Sequence, residues 1–106
     1  MTPHYSLDAF FGSFFHQDWE EDYGSAAGAL ARFLDLAGPS RYDGLVDEID
    51  STLDRYRSDE QVVEWINGRL HAELYREAVG MPLRDWLLVV RGEVRARITA
   101  SDLDGP

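Results

Sequence analysis

Residues 86–98 read WLLVVRGEVRARI, and the fold turns on whether they form a helix or a β-hairpin. The hairpin reading rests on Leu88 and Val89, which lie off any single helical face, and on Gly92, which weakens a helix interior by about 1 kcal/mol. The helix reading rests on Leu83, Trp86, Leu87, Val90, Val94 and Ile98, which share one face. Pro82 suits the first turn of such a helix. No other stretch of the chain supplies a strand, and an isolated hairpin is marginal in water. The helix is therefore favoured, and Leu88 and Val89 then predict a helix buried on several sides.

Working back from there, apolar spacing predicts helices throughout. Ser6 caps a first helix with Leu7, Phe10, Phe11, Phe14 and Phe15 on one side, ending near His16 or Gln17. Asp18, with Glu21 three residues on, has the grammar of a capped turn over 18–22. Tyr23-Gly24 breaks the pattern, Ser25 caps a second long helix, and Gly38-Pro39 stops it. Ser40 is expected to cap a third, running to about Arg57, with Tyr42, Leu45, Val46, Ile49, Leu53 and Tyr56 inside one arc. Ser58 and Gln61 form a capping box, and Asn67-Gly68 predicts a break or kink. Leu70, Leu74 and Ala78 suggest a further helix closed by Gly80. After Thr99 the tail is polar and expected to fray. The predicted fold class is all-α: one domain over residues 1–106, built as a compact bundle of five or six short helices.

Composition narrows the function. The 106 residues contain no cysteine and no long apolar run, so a disulfide scaffold, a thiolate metal site and a membrane span are not expected. The opening MTPHYSLDAFF lacks the basic start and apolar stretch of a secretory signal, and a cytoplasmic location is the natural reading. Twenty acids face ten bases for a formal charge of −10. Residues 1–54 hold eleven of the acids and only Arg32 and Arg41; residues 55–106 hold nine acids and eight Arg. Such a surface repels a nucleic-acid backbone and attracts a basic partner.

The acids fall in two groups. Asp18, Glu20, Glu21 and Asp22 form a cluster, and Asp43, Asp47, Asp50 and Asp54 recur along the third helix as a stripe about 16 Å long. Asp43, Asp47 and Asp50 have no Arg three or four residues away, so each like-charged neighbour costs about 0.2–0.5 kcal/mol in an exposed helix. A solvated face would explain the stripe blandly. Together with the charge of the whole first half, it is better read as a docking face for a basic partner.

The densest stretch of side-chain chemistry is FFGSFFHQDWEEDYGS, residues 10–25. His16 and Asp18, with a nearby carboxylate and His71, could form the acid/base pair of a small hydrolase or metal-dependent enzyme. Two residues apart, however, His16 and Asp18 do not face each other on a helix, and the ligand order of a calcium loop or zinc site is missing. Helix capping accounts for the same residues more simply. Phe10, Phe11, Phe14, Phe15, Trp19 and Tyr23 read as core. No catalytic residue, cofactor or metal site is assigned. A helical adaptor that homodimerises through Trp65 or Trp86 is the remaining alternative.

The same stretch resembles the N-terminal block of immunity proteins from bacterial contact-dependent growth inhibition systems. There, an aromatic helix runs into an HQDW-like corner and a Tyr-Gly turn. The matching residues here are Phe10, Phe11, Phe14, Phe15, His16, Gln17, Asp18, Trp19, Tyr23 and Gly24, with Trp86-Leu87 as a late Trp-Leu pair. The resemblance implies a cytoplasmic antidote without catalysis of its own. It would bind the C-terminal toxin domain delivered by a neighbouring cell, frequently a nuclease with a basic substrate channel. It also implies that the HQDW corner sets helix geometry and does no chemistry.

Overall fold

The computed structural model describes residues 6–15 and 19–104. His16, Gln17 and Asp18, and with them the expected Asp18 cap, lie outside the described residues. Seven α-helices follow in order: α1 (Leu7–Phe14), α2 (Trp19–Tyr23), α3 (Ala26–Ala37), α4 (Tyr42–Arg55), α5 (Asp59–Val63), α6 (Arg76–Val79) and α7 (Leu83–Asp104). A 3-10 turn (Pro39–Arg41) precedes α4, and a π-helical turn (Glu64–Arg69) follows α5. The fold is all-α, and residues 86–98 lie within α7.

Local signals set most boundaries. The Ser6 hydroxyl accepts from the Ala9 N–H and that of Ser25 from the Gly28 N–H, each satisfying a donor that the first turn leaves orphaned. Both arms of the Ser58–Gln61 capping box are formed. Gly24 (φ +77) and Gly80 (φ +74) take left-handed backbone that a side chain would strain, and they end α2 and α6.

Four expectations are corrected. Ser40 does not cap the third helix; it sits inside the 3-10 turn that flows into α4, with Arg41 at the cap position and no side-chain cap. Leu70 to Ala78 is not one helix, since residues 71–75 are irregular, His71 adopts φ +58, and only Arg76–Val79 is helical. The cause is competition for the backbone. The Asn67 side chain accepts from the Leu74 N–H at 2.8 Å and donates to the Leu74 and Val63 carbonyls at 2.7 and 3.2 Å. The Glu73 N–H donates to the Phe15 carbonyl at 2.6 Å, and the Glu73 carbonyl accepts from the Trp19 indole at 2.8 Å. Groups spent on these partners cannot build an i to i−4 ladder. The Asn67-Gly68 break itself appears as the π turn, closed by Leu70 N–H to the Trp65 carbonyl.

The third correction concerns α7, which is not buried on several sides. Leu83, Trp86, Leu87, Val90 and Val94 face the core, while Leu88 and Val89 are 50% and 43% exposed. The fourth is that α7 continues past Thr99 to Asp104, so the polar segment expected to fray is helical.

The core centres on Phe10. Its ring lies 4.7–6.3 Å from those of Phe11, Phe14, Phe15, Phe33 and Trp86, and burying a side chain of this size contributes about 1.5–3 kcal/mol. Trp65 and Trp86 are both buried, at 7% and 5% exposure. Neither indole is offered for the homodimeric contact that the adaptor alternative requires.

Candidate functional site

α4 presents two sides because its sequence does. Tyr42, Leu45, Ile49 and Thr52 are buried, while Asp43, Asp47, Asp50 and Asp54 are exposed. Its inner side is held by α7, which runs antiparallel to it. Arg97 lies against the Tyr42 hydroxyl, Arg91 against Asp50, and Arg84 against the end of α4. The Arg84 side chain donates to the Leu53 and Tyr56 carbonyls, which the helix C-terminus leaves without partners. Its backbone N–H donates to Asp59 at the start of α5. The Tyr42 hydroxyl donates to the Leu34 carbonyl at 2.9 Å, and Arg97 also pairs with Asp35 at 2.7 Å.

This packing divides the stripe read from the sequence. Asp50 accepts from Arg91 Nε at 2.7 Å and belongs to the seam between α4 and α7. Asp43 and Asp47 instead line a cleft of about 430 Å³, with Val46 between them on α4 and Arg95, Ile98 and Thr99 on α7. Asp47 is also a wall of a second cleft of about 280 Å³, formed where α1 meets α4 and lined by Leu7, Asp8, Glu48, Ser51, Thr52 and Arg55. Asp47 is thus the ridge between two adjoining clefts. Their linings bring together four carboxylates (Asp8, Asp43, Asp47 and Glu48) and two guanidinium groups (Arg55 and Arg95). Asp54 is exposed and lines neither cleft.

Asp8 and Glu48 were not legible as members of this face. Asp8 arrives because α1 docks on α4. The Leu7 N–H donates to Glu48 at 3.3 Å from 41 residues away, and no local pattern encodes that. Glu48 also accepts from Arg41 at 3.4 Å. Burial raises the Glu48 carboxyl above its ordinary value and Asp8 adds to this, while the Leu7 N–H and Arg41 pull it back only in part.

The first acidic cluster is placed elsewhere. Glu20, Glu21 and Asp22 are exposed on α2, which packs on α3 and is pinned by the buried Trp19; Asp18 lies outside the described residues. Around it, Phe14 and Tyr23 stack at 5.2 Å, Phe15 meets Trp19 edge-on at 5.1 Å, and Phe15 meets Trp86 at 5.9 Å. The aromatic residues of the HQDW block therefore interlock with the start of α7, and Gly24 supplies the turn into α3. Of the proposed enzyme set, His16 and Asp18 are outside the described residues and His71 is exposed.

Among the described residues no group of three or more His, Asp or Glu could hold a metal ion. No described helix is long and apolar enough to cross a membrane. The two clefts combine their charged groups with the apolar side chains of Val46 and Ile98 in one and Leu7 in the other.

The model of the family described as CdiI immunity protein matches residues 4–94. No curated protein and no solved structure matches the chain.

Proposed function

The chain belongs to the CdiI immunity protein family, and from that premise we propose that it neutralises its cognate toxin through the twin-cleft face of α4. An immunity role and a toxin partner come with the family. The finer reading is that the partner is the C-terminal domain of a contact-dependent or related polymorphic toxin, that it is a nuclease, and that its basic substrate channel meets the acidic face. The observation that carries this is Asp47 standing between two clefts whose linings hold twice as many carboxylates as guanidinium groups. Carboxylates kept side by side cost stability in the free protein, and a cationic partner recovers that cost on binding. Opposed charge also speeds encounter. Nothing in this role needs a catalytic group, and none is proposed. The site of action would be the cytoplasm of the producing cell.

The test is stopped-flow association with the cognate toxin domain, comparing the wild type with the double variant Asp43→Arg/Asp47→Arg. At low salt the variant should associate about 10- to 100-fold more slowly, with the gap closing as salt is raised. A rate unchanged by the double reversal would sink the acidic-face reading. A toxin domain that degrades neither DNA nor RNA would remove the nuclease assignment and leave the face standing.

A further inference from the structure

Resting on the docking role proposed for the α4 face, we infer that Arg55 and Arg95 decide which partner that face accepts. They select a protein surface with cationic side chains at its centre and a carboxylate opposite each guanidinium, and they reject an evenly basic one. α7 carries four arginines, Arg84, Arg91, Arg95 and Arg97. Three are engaged within the fold: Arg84 with the Leu53 and Tyr56 carbonyls, Arg91 with Asp50, and Arg97 with Asp35 and the Tyr42 hydroxyl. Arg95 is exposed and forms no ion pair among the described residues, although Asp43 and Asp47 line the same cleft. Arg55, the one arginine of α4, is exposed and equally unpaired in the smaller cleft, which holds Asp8, Asp47 and Glu48.

Placement gives the face a charge order. Arg95 stands on the α7 wall of the larger cleft, with Asp43 and Asp47 on the α4 wall. Arg55 lies about 12 Å beyond Asp47 along α4, with Glu48 between them. A free guanidinium presents a planar fork of donors that matches a carboxylate. An evenly cationic surface that met the carboxylates would set like charge against both forks. A surface with Asp or Glu at those two points avoids the repulsion and gains two charge-assisted pairs. Such discrimination comes from the mismatch imposed on wrong partners as well as from attraction to the right one.

Charge reversal separates this from simple collection of cations. Arg55→Glu/Arg95→Glu makes the chain more negative than its formal −10, so a face that merely gathers positive charge should then hold the cognate toxin domain more tightly. The charge order demands the opposite. Dissociation of the toxin complex should be about tenfold or more faster, with circular dichroism unchanged because both side chains are exposed and unpaired. Poly-lysine, which has no carboxylate side chain, should bind the double variant about tenfold more tightly than the wild type. Arg32→Glu, an exposed position that lines neither cleft, adds negative charge without touching either fork and should leave toxin dissociation as it is. A double variant that holds the toxin as tightly as the wild type, or more tightly, overturns the proposal. So does poly-lysine that does not distinguish the two chains, or an Arg32→Glu that speeds toxin dissociation equally. Failure of the acidic-face reading shows elsewhere, in an association rate unmoved by Asp43→Arg/Asp47→Arg.

Discussion

The aromatic corner and the acidic face of α4 sit on one small molecule and are built on opposite terms. Around Phe10, Phe15, Trp19 and Trp86, rings meet rings within about 6 Å, and the Trp19 indole is paired with the Glu73 carbonyl. Around Asp47, like charges are held together with two clefts beside them. The corner gains stability from every contact it makes, and the face gives some up. The difference teaches where to look for each role: sequence features dense in side-chain chemistry, such as FFHQDWEEDY, can belong mainly to the frame, while plainer aspartates on a helix edge are the ones left available to a partner.

Breaking the frame should cost most. Phe10→Ala removes the ring on which the others converge and should lower stability by about 3–5 kcal/mol, read from denaturant unfolding. Any folded fraction should keep the salt slope of toxin association, because no charge moves. Asn67→Ala comes next, at about 2–3 kcal/mol, since it strips a partner from the Leu74 N–H and carbonyl and from the Val63 carbonyl. Amide exchange should rise first at Leu74. A uniform rise across the chain would mean that Asn67 does not act as a local clasp.

The smallest effect sharpens the other half of the comparison. The folded state holds the Glu48 carboxyl above its ordinary value, chiefly through burial. The ionised group is therefore penalised by folding at neutral pH, and the penalty vanishes as pH falls through the raised value and below the unfolded value of 4.5. Glu48→Gln should raise the thermal midpoint slightly at pH 7, keeping an oxygen for the Leu7 N–H, and the gain should disappear at pH 4. A loss of stability at pH 7 would show that the Arg41 pair outweighs desolvation.

What could be read from the sequence was whatever neighbours decide. Ser6, Ser25 and the Ser58–Gln61 box cap their helices because an N-cap needs only a residue and the next three. Gly80 ends α6 for an equally local reason. The failures have remote causes. Residues 71–75 leave the helical pattern because Asn67, Phe15 and Trp19 claim their backbone. The pairing of Asp50 with Arg91, 41 residues later, was equally hidden. Leu88 and Val89 looked like interior residues because hydrophobicity predicts burial, but among the described residues no element covers them. The candidate face was half legible: Asp43 and Asp47 in the stripe, and not Asp8 or Glu48, which join it through the docking of α1.

The hydrogen bonds that join α4 to α7 close loops of 28 to 55 residues, and such long-range closure comes late in folding. A ribosome finishes α4 well before it has made Arg84, Arg91 or Arg97. During that interval the helix carries Asp43, Asp47, Glu48, Asp50 and Asp54 against a single Arg55, with its last carbonyls uncovered and Asp50 unanswered. Only when α7 lies down are those groups satisfied and the larger cleft given its second wall. A half-made chain therefore lacks the finished cleft, and the α4 face is complete only when the last helix is in place.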